Sequence, residues 1–219
     1  MNLLEATFSD TDKRIAFLVL CIINFAFIYI SQEMLVSEEL FYNSFGEQLA
    51  IERIEKLWEE SKRFNWLSYV FIPFIYLIKF VLTSMALAVG LLIIEVKFKF
   101  KKVFQTVLIA EFIFIIPALI RLFWFIFIQT DYRLQDISAF NFLSLAGIFE
   151  TDTLPVWLLY PFQLLNIFEV IYWLLLTYGV HLHIKRDYQD SLKLVLVSYG
   201  SGLVLWVVFL TFIQVSLSA

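Results

Sequence analysis

Residues Pro161–Asp187 read PFQLLNIFEVIYWLLLTYGVHLHIKRD. Between Pro161 and Val180 the only formal charge is Glu169. Such a run is long enough to cross a bilayer as one helix, which takes about 20 apolar residues. Its apolar character extends upstream, so the span is expected over about 156–180. A carboxylate inside it is costly, and finding its surroundings becomes the central question for the fold.

Four further stretches qualify as spans, over about 15–30, 66–94, 103–129 and 192–217. The expected fold is all-α and integral to a membrane. It is a single five-span domain over 1–219, a bundle of five transmembrane helices. Composition agrees: 61% of residues are hydrophobic and only 16% charged, against about 25% charged in soluble domains. The low Gly and Pro content excludes disordered and collagen-like chains. No basic domain is present, so nucleic acid is not an expected partner. The expected partners are the lipid bilayer and a membrane protein or a second copy of the chain. The single cysteine, Cys21, lies in an apolar run and is expected to be an inert thiol. The first span lacks a small-residue cleavage site and is followed by SQEMLVSEEL, so it reads as an uncleaved span.

Charge sets the expected orientation. Lys13, Arg14, Lys97, Lys99, Lys101, Lys102, Lys185, Arg186 and Lys193 give nine basic residues on one side, against five (Arg53, Lys56, Lys62, Arg63, Arg133) on the other. The positive-inside rule then places the N-terminus in the cytoplasm and the C-terminus outside or in a lumen; the membrane itself is expected to be a bacterial inner membrane or a comparable one. The second side is also acidic, with Glu33, Glu38, Glu39, Glu47, Glu52, Glu55, Glu59, Glu60, Asp131, Asp136, Glu150 and Asp152.

Two connections have character of their own. In EQLAIERIEKLWEESKRF, Glu47–Phe64, the apolar residues Ile51, Ile54, Leu57, Trp58 and Phe64 recur at helical spacing. Ser44 and Glu47 resemble a capping box ahead of it. The expectation is an amphipathic interfacial helix in the first extracytoplasmic loop, with Trp58 in the interface. DISAFNFLSLAGIF is apolar but too short to span, and fits a short interfacial or re-entrant helix. On the opposite side KFKFKK alternates Lys and Phe. Lys97, Lys99, Lys101 and Lys102 are expected to meet anionic head groups, at about 1 kcal/mol each.

Lys79, Glu111, Arg121 and Glu169 all fall inside spans. A charge at mid-membrane costs on the order of 3 kcal/mol on the mildest scale, so these side chains are expected to face inward and to find partners. Counted at 1.5 Å per residue from the cytoplasmic ends, Lys79 lies ~22 Å deep, Glu169 ~17 Å, Glu111 ~12 Å and Arg121 ~27 Å. Depth therefore pairs Lys79 with Glu169, with Glu111 able to join from below and Arg121 to join from above or snorkel outward. Gln163, Asn166, Glu169, Trp173 and Thr177 recur at three and four residues, which places them on one inward polar stripe. The stripe is expected to fix helix register, ahead of a transport or proton-relay role. The small residues Ser84, Ala86, Ala88, Gly90, Ser198 and Gly202 suit close helix packing.

Other chemistry is sparse. His181 and His183 point to different helix faces, and no third ligand is near in sequence, so neither a metal nor any cofactor is expected. No zinc-protease helix, nucleophile elbow or phosphate-binding loop occurs.

Three segments, FIPFIYLIKFVLTSMALAVG, LLNIFEVIYWLLLTYGVHLHI and DYQDSLKLVLVSYGSGLVLW, carry a resemblance. The second leads with Asn166, Phe168 and Trp173 and runs to Gly179. Over about two thirds of its length the chain resembles the Yip-type domain, the five-span Ypt/Rab-interacting family and its bacterial relatives. The eukaryotic members carry a longer cytoplasmic region than the 14 residues ahead of Ile15, so the resemblance concerns the membrane domain and not the binding of small GTPases. It implies a role in membrane organisation or trafficking without catalysis. The expected function is thus a non-catalytic Yip-like scaffold. The alternatives are a small-solute or ion pathway along the charged seam and an accessory subunit of a larger membrane complex.

Overall fold

The computed structural model of the chain describes residues 3–46, 49–140, 142–148, 156–184 and 186–218. Among them there is no strand, only an isolated antiparallel bridge between Ser144 and Asn166. Five helices are long and apolar enough to cross a membrane: Lys13–Leu35, Ile51–Ile93, Phe100–Ile128, Ile167–Ile184 and Tyr188–Ser216. They fall on the five apolar stretches of the sequence.

The α-helices are α1 (Leu3–Asp10), α2 (Lys13–Ile30), α3 (Glu38–Phe45), α4 (Ile51–Ile93), α5 (Phe100–Ala110), α6 (Ile115–Phe123), α7 (Leu134–Ala139), α8 (Val156–Leu164), α9 (Ile167–Ile184) and α10 (Tyr188–Ser218). A wide π-type turn, Ser31–Leu35, extends α2, and another, Trp124–Ile128, extends α6. At 43 residues, α4 is about 65 Å long, roughly twice the thickness of a hydrocarbon core. The stretch expected as a separate surface helix is instead the first turns of α4. No glycine or proline lies between Ile51 and Ile72, so nothing stops the helix where the apolar span begins. The expected cap also differs. Ser37 caps α3 by accepting the Leu40 N–H at 3.1 Å, whereas Ser44 lies inside α3 and accepts the Leu134 N–H at 3.0 Å. Glu47 lies outside the described residues.

The chain divides into two compact units. The first comprises Met1–Phe17, Leu77–Phe114 and Leu143–Ala219. Here α9 packs against both α5 and α10. Gly179 permits the contact with α5: a Cβ there would sit 2.4 Å from Thr106 Cγ2 and 2.9 Å from the Phe8 ring. The small residues act as expected between α4 and α10, in antiparallel register. Gly90 lies against Ser198, and Gly202 against Ala86. Ahead of the first span, α1 is docked on α5. Gln105 Nε2 donates to the Thr11 carbonyl at 3.0 Å, Lys102 Nζ donates to the Ser9 carbonyl at 3.3 Å, and Phe8 is buried.

The second unit comprises Leu18–Tyr76 and Ile115–Phe142. Its core gathers Leu35, Leu122 and Phe125 with Phe27, Trp124, Tyr132 and Phe140 around them. Neutral hydrogen bonds tie its parts together: Tyr76 donates to Asn24 at 2.8 Å, Tyr69 to Gln32 at 2.9 Å, and Tyr132 to the Leu35 carbonyl at 3.2 Å. Burial pushes the Tyr132 phenol's pKa up and keeps it a neutral donor. Of the spaced apolar residues in the first turns of α4, Ile54 is fully buried while Ile51 and Phe64 are exposed. Trp58 is half-buried, with the Phe41 ring edge-on at 5.0 Å and Lys62 over its face at 4.5 Å.

Candidate functional site

The third span changes pitch at its charged residue. Pro117 has no N–H to donate to the Ile113 carbonyl, and its ring crowds that carbonyl. The turn before it, Glu111–Phe114, is a tight 3₁₀ turn. Glu111 opens this turn and is 2% exposed. Its Oε1 receives Lys79 Nζ from α4 at 2.5 Å, an ion pair within one unit. The ammonium also lies 4.5 Å from the centre of the Phe114 ring and 5.8 Å from that of Tyr172. Tyr172, completely buried, has Thr83, Glu111 and Glu169 among its polar neighbours. The partner of Lys79 is therefore Glu111, not Glu169 as depth suggested.

Glu169 owes its environment to a break in the fourth span. The helix expected as continuous stops at Leu164 and resumes at Ile167. Asn166 closes both ends. Its Nδ2 donates to the carbonyls of Gln163 (3.0 Å) and Leu164 (3.2 Å), and its Oδ1 accepts the Glu169 N–H at 2.9 Å. The backbone groups left free by the break pair with the segment at Leu143–Leu145. The Leu145 N–H donates to the Leu165 carbonyl at 3.0 Å and the Ile167 N–H to the Leu143 carbonyl at 3.2 Å. That satisfies groups which hydrocarbon would leave unpaired. Glu169 is thus the third residue of α9, where the helix dipole favours a carboxylate. It is 5% exposed, and its Oε1 accepts from Trp173 Nε1 and from the Tyr199 hydroxyl, both at 2.8 Å.

The expected polar stripe is correspondingly divided. Gln163 stands on α8, Asn166 between the helices, and Glu169, Trp173 and Thr177 on α9. Thr177 is buried and donates to the Trp173 carbonyl of its own helix at 2.8 Å. Arg121 belongs to the other unit. Its Nε is buried without a hydrogen-bond partner among the described residues. The connection expected as one short helix instead holds α7 and a separate 3₁₀ turn, Leu145–Ile148.

At the lysine-rich end of the first unit the chain is non-helical over 96–99, extended at Lys99, and α5 starts at Phe100. A cavity of about 420 Å³ opens there. Lys97, Lys99 and Lys102 line it together with Thr106 and His183, whereas Lys101 does not. His181 Nδ1 meets the Arg186 carbonyl at 2.5 Å. No cluster of three or more potential metal ligands occurs among the described residues.

Sequence reasoning missed Tyr172, Tyr199 and Thr106. Each is a hydroxyl-bearing residue inside an apolar run, and nothing in its spacing says what it faces. The break at Asn166 did have a signal, an Asn followed three residues later by Glu at the head of an apolar run. No family model matches the chain, and neither a curated protein nor a solved structure does.

Proposed function

We propose that the chain is a non-catalytic membrane protein with a scaffolding or membrane-organising role, the role the Yip-type resemblance implies. The intramembrane charges Lys79, Glu111 and Glu169 serve to hold the fold. The N-terminus is cytoplasmic, the C-terminus lies outside, and the membrane is a bacterial inner membrane or a comparable one. The observation that carries this reading is the pairing of the buried groups. Lys79 is held by Glu111, and Glu169 by Tyr199, Trp173 and the first turn of α9. A carboxylate fixed by donors within its own unit suits a structural role better than cyclic loading and release of an ion.

A second reading, an ion or proton pathway, draws support from Glu111 Oε2, which is buried without a partner among the described residues. Reconstitution separates the two. In vesicles carrying a pH gradient, the parent protein is expected to dissipate the gradient no faster than empty vesicles. Glu111→Gln and Glu169→Gln are expected to lose stability without changing any flux. Gradient-driven flux that disappears in a fully folded Glu169→Gln or Glu111→Gln protein would favour the pathway instead.

A further inference from the structure

The cavity at the lysine-rich end of the first unit is built for an anion, and it has no part in the ion pair deeper in the span. Lys97, Lys99 and Lys102 bring three ammonium groups to its wall, and no carboxylate is among its described lining residues. None of the three forms an ion pair among the described residues, although Lys102 gives one donor to the Ser9 carbonyl. Lys13 adds further positive charge near His183.

Two deeper groups lack hydrogen-bond partners among the described residues. Thr106 is 0% exposed, and its Oγ1 makes no hydrogen bond. His183 Nε2 is likewise buried and unpartnered. Both residues line the cavity. A buried polar group without a partner is destabilising, so two of them in one cavity call for a guest that supplies acceptors. Helix α5 begins at the cavity's edge, and Lys99 at its cap contributes no side-chain acceptor to the free N–H groups of the first turn. Such a terminus favours an anion. The remaining wall is apolar, with Val103 and Val180 among its residues.

We propose that this cavity binds a phosphomonoester. The phosphate is taken by Lys97, Lys99, the Thr106 hydroxyl and His183, and the attached organic group lies against the apolar wall. A lipid head group and a soluble phosphomonoester share this chemistry.

The test is calorimetric titration of the full-length protein in neutral detergent. The probes are inorganic phosphate, glycerol 3-phosphate and dihexanoyl phosphatidic acid. Saturable binding of at least one phosphomonoester is expected. It should weaken at least tenfold in Thr106→Val and in the Lys97→Gln/Lys99→Gln double variant, and stay unchanged in Lys193→Gln, which alters an exposed lysine of α10 outside the lining. Tighter binding of the phosphatidic acid assigns the site to lipid, and equal binding of glycerol 3-phosphate assigns it to a soluble ligand. Thr106→Val removes an unpaired hydroxyl, so without ligand it should melt at or above the parent temperature; its loss of binding is then not a loss of fold. Absence of saturable binding by any probe overturns the proposal. So does a pattern in which Lys193→Gln weakens binding as much as the double variant while Thr106→Val has no effect, the pattern of diffuse surface charge. Neither outcome bears on flux through the seam, so this site and the scaffolding role stand or fall separately.

Discussion

In the unit that holds Leu77–Phe114 and Leu143–Ala219, three charged residues inside the spans meet partners: Lys79 with Glu111, and Glu169 with Tyr199 and Trp173. In the unit that holds Leu18–Tyr76 and Ile115–Phe142, the hydrogen bonds of Tyr76, Tyr69 and Tyr132 are neutral, the core is rich in aromatic rings, and Arg121 Nε is buried without a hydrogen-bond partner among the described residues. Charge in the first unit is part of how its helices are held. In the second, Arg121 follows a different pattern: its Nε has no hydrogen-bond partner among the described residues, and the core beside it is apolar. Substitutions should therefore cost much in one unit and little in the other.

The largest loss is expected for Lys79→Met. It leaves Glu111, 3% exposed at its side chain, without a counter-charge, and breaking a buried pair costs about 3 kcal/mol or more. Glu111→Gln should cost less, because the Lys79 side chain is 42% exposed and can turn toward a polar surface. The double variant should recover most of the loss. Thermal unfolding in detergent reads all three. Single variants as stable as the parent would mean that the pair does not hold the first unit together.

Next comes steric fit. Gly179→Ala places a methyl 2.4 Å from Thr106 Cγ2 and should cost about 1–3 kcal/mol through forced repacking of α9 on α5. Gly200→Ala is its control in the same unit, with the nearest atom at 3.8 Å, and should be neutral or slightly stabilising through helix propensity. If the two variants unfold at the same temperature, the close crossing is not a constraint.

Asn166→Ala follows, at about 1–2 kcal/mol, the range for losing a helix cap. Asn166→Asp discriminates further. It keeps an acceptor for the Glu169 N–H but loses the donor to the Gln163 and Leu164 carbonyls. Its stability should therefore fall between those of the parent and Asn166→Ala. An aspartate as damaging as alanine would place the work of Asn166 at the end of α8 alone.

What the sequence made legible was length. An apolar run of about 20 residues has few alternatives to a spanning helix, so the five stretches and their order could be read directly. Depth was nearly legible. Starting α5 at Phe100 instead of Val103 lowers the zero by three residues, about 4.5 Å, and brings Glu111 within reach of a long lysine side chain. Azimuth was not legible, because nothing local says which face of α4 meets which neighbour. Hence Lys79 was given to the carboxylate at matching height. The break before Ile167 was hidden by a coincidence: residues at three- and four-residue spacing look like a stripe on one helix, and here the spacing passes over a capping residue. Thr106 was hidden for a different reason. Its significance lies in a hydroxyl left without a partner, and that is a property of the packed structure, not of any spacing.

Arg121→Met should have the smallest effect and offers the sharpest test of the comparison. A guanidinium inside a span carries a desolvation cost, and replacing a poorly partnered buried cation with an apolar side chain of similar length is neutral or stabilising. Methionine keeps the contact of the aliphatic stem and adapts to an irregular gap. The expected shift is a melting temperature equal to or above the parent's, while Lys79→Met lowers it. A loss comparable to that of Lys79→Met would mean that Arg121 has a counter-charge in the membrane-embedded protein, supplied by a lipid phosphate or a partner chain. The second unit would then rely on charge as much as the first. Repeating the melt in lipid nanodiscs with and without anionic lipid separates those two sources. A lipid partner makes the loss depend on the anionic lipid, and a protein partner does not.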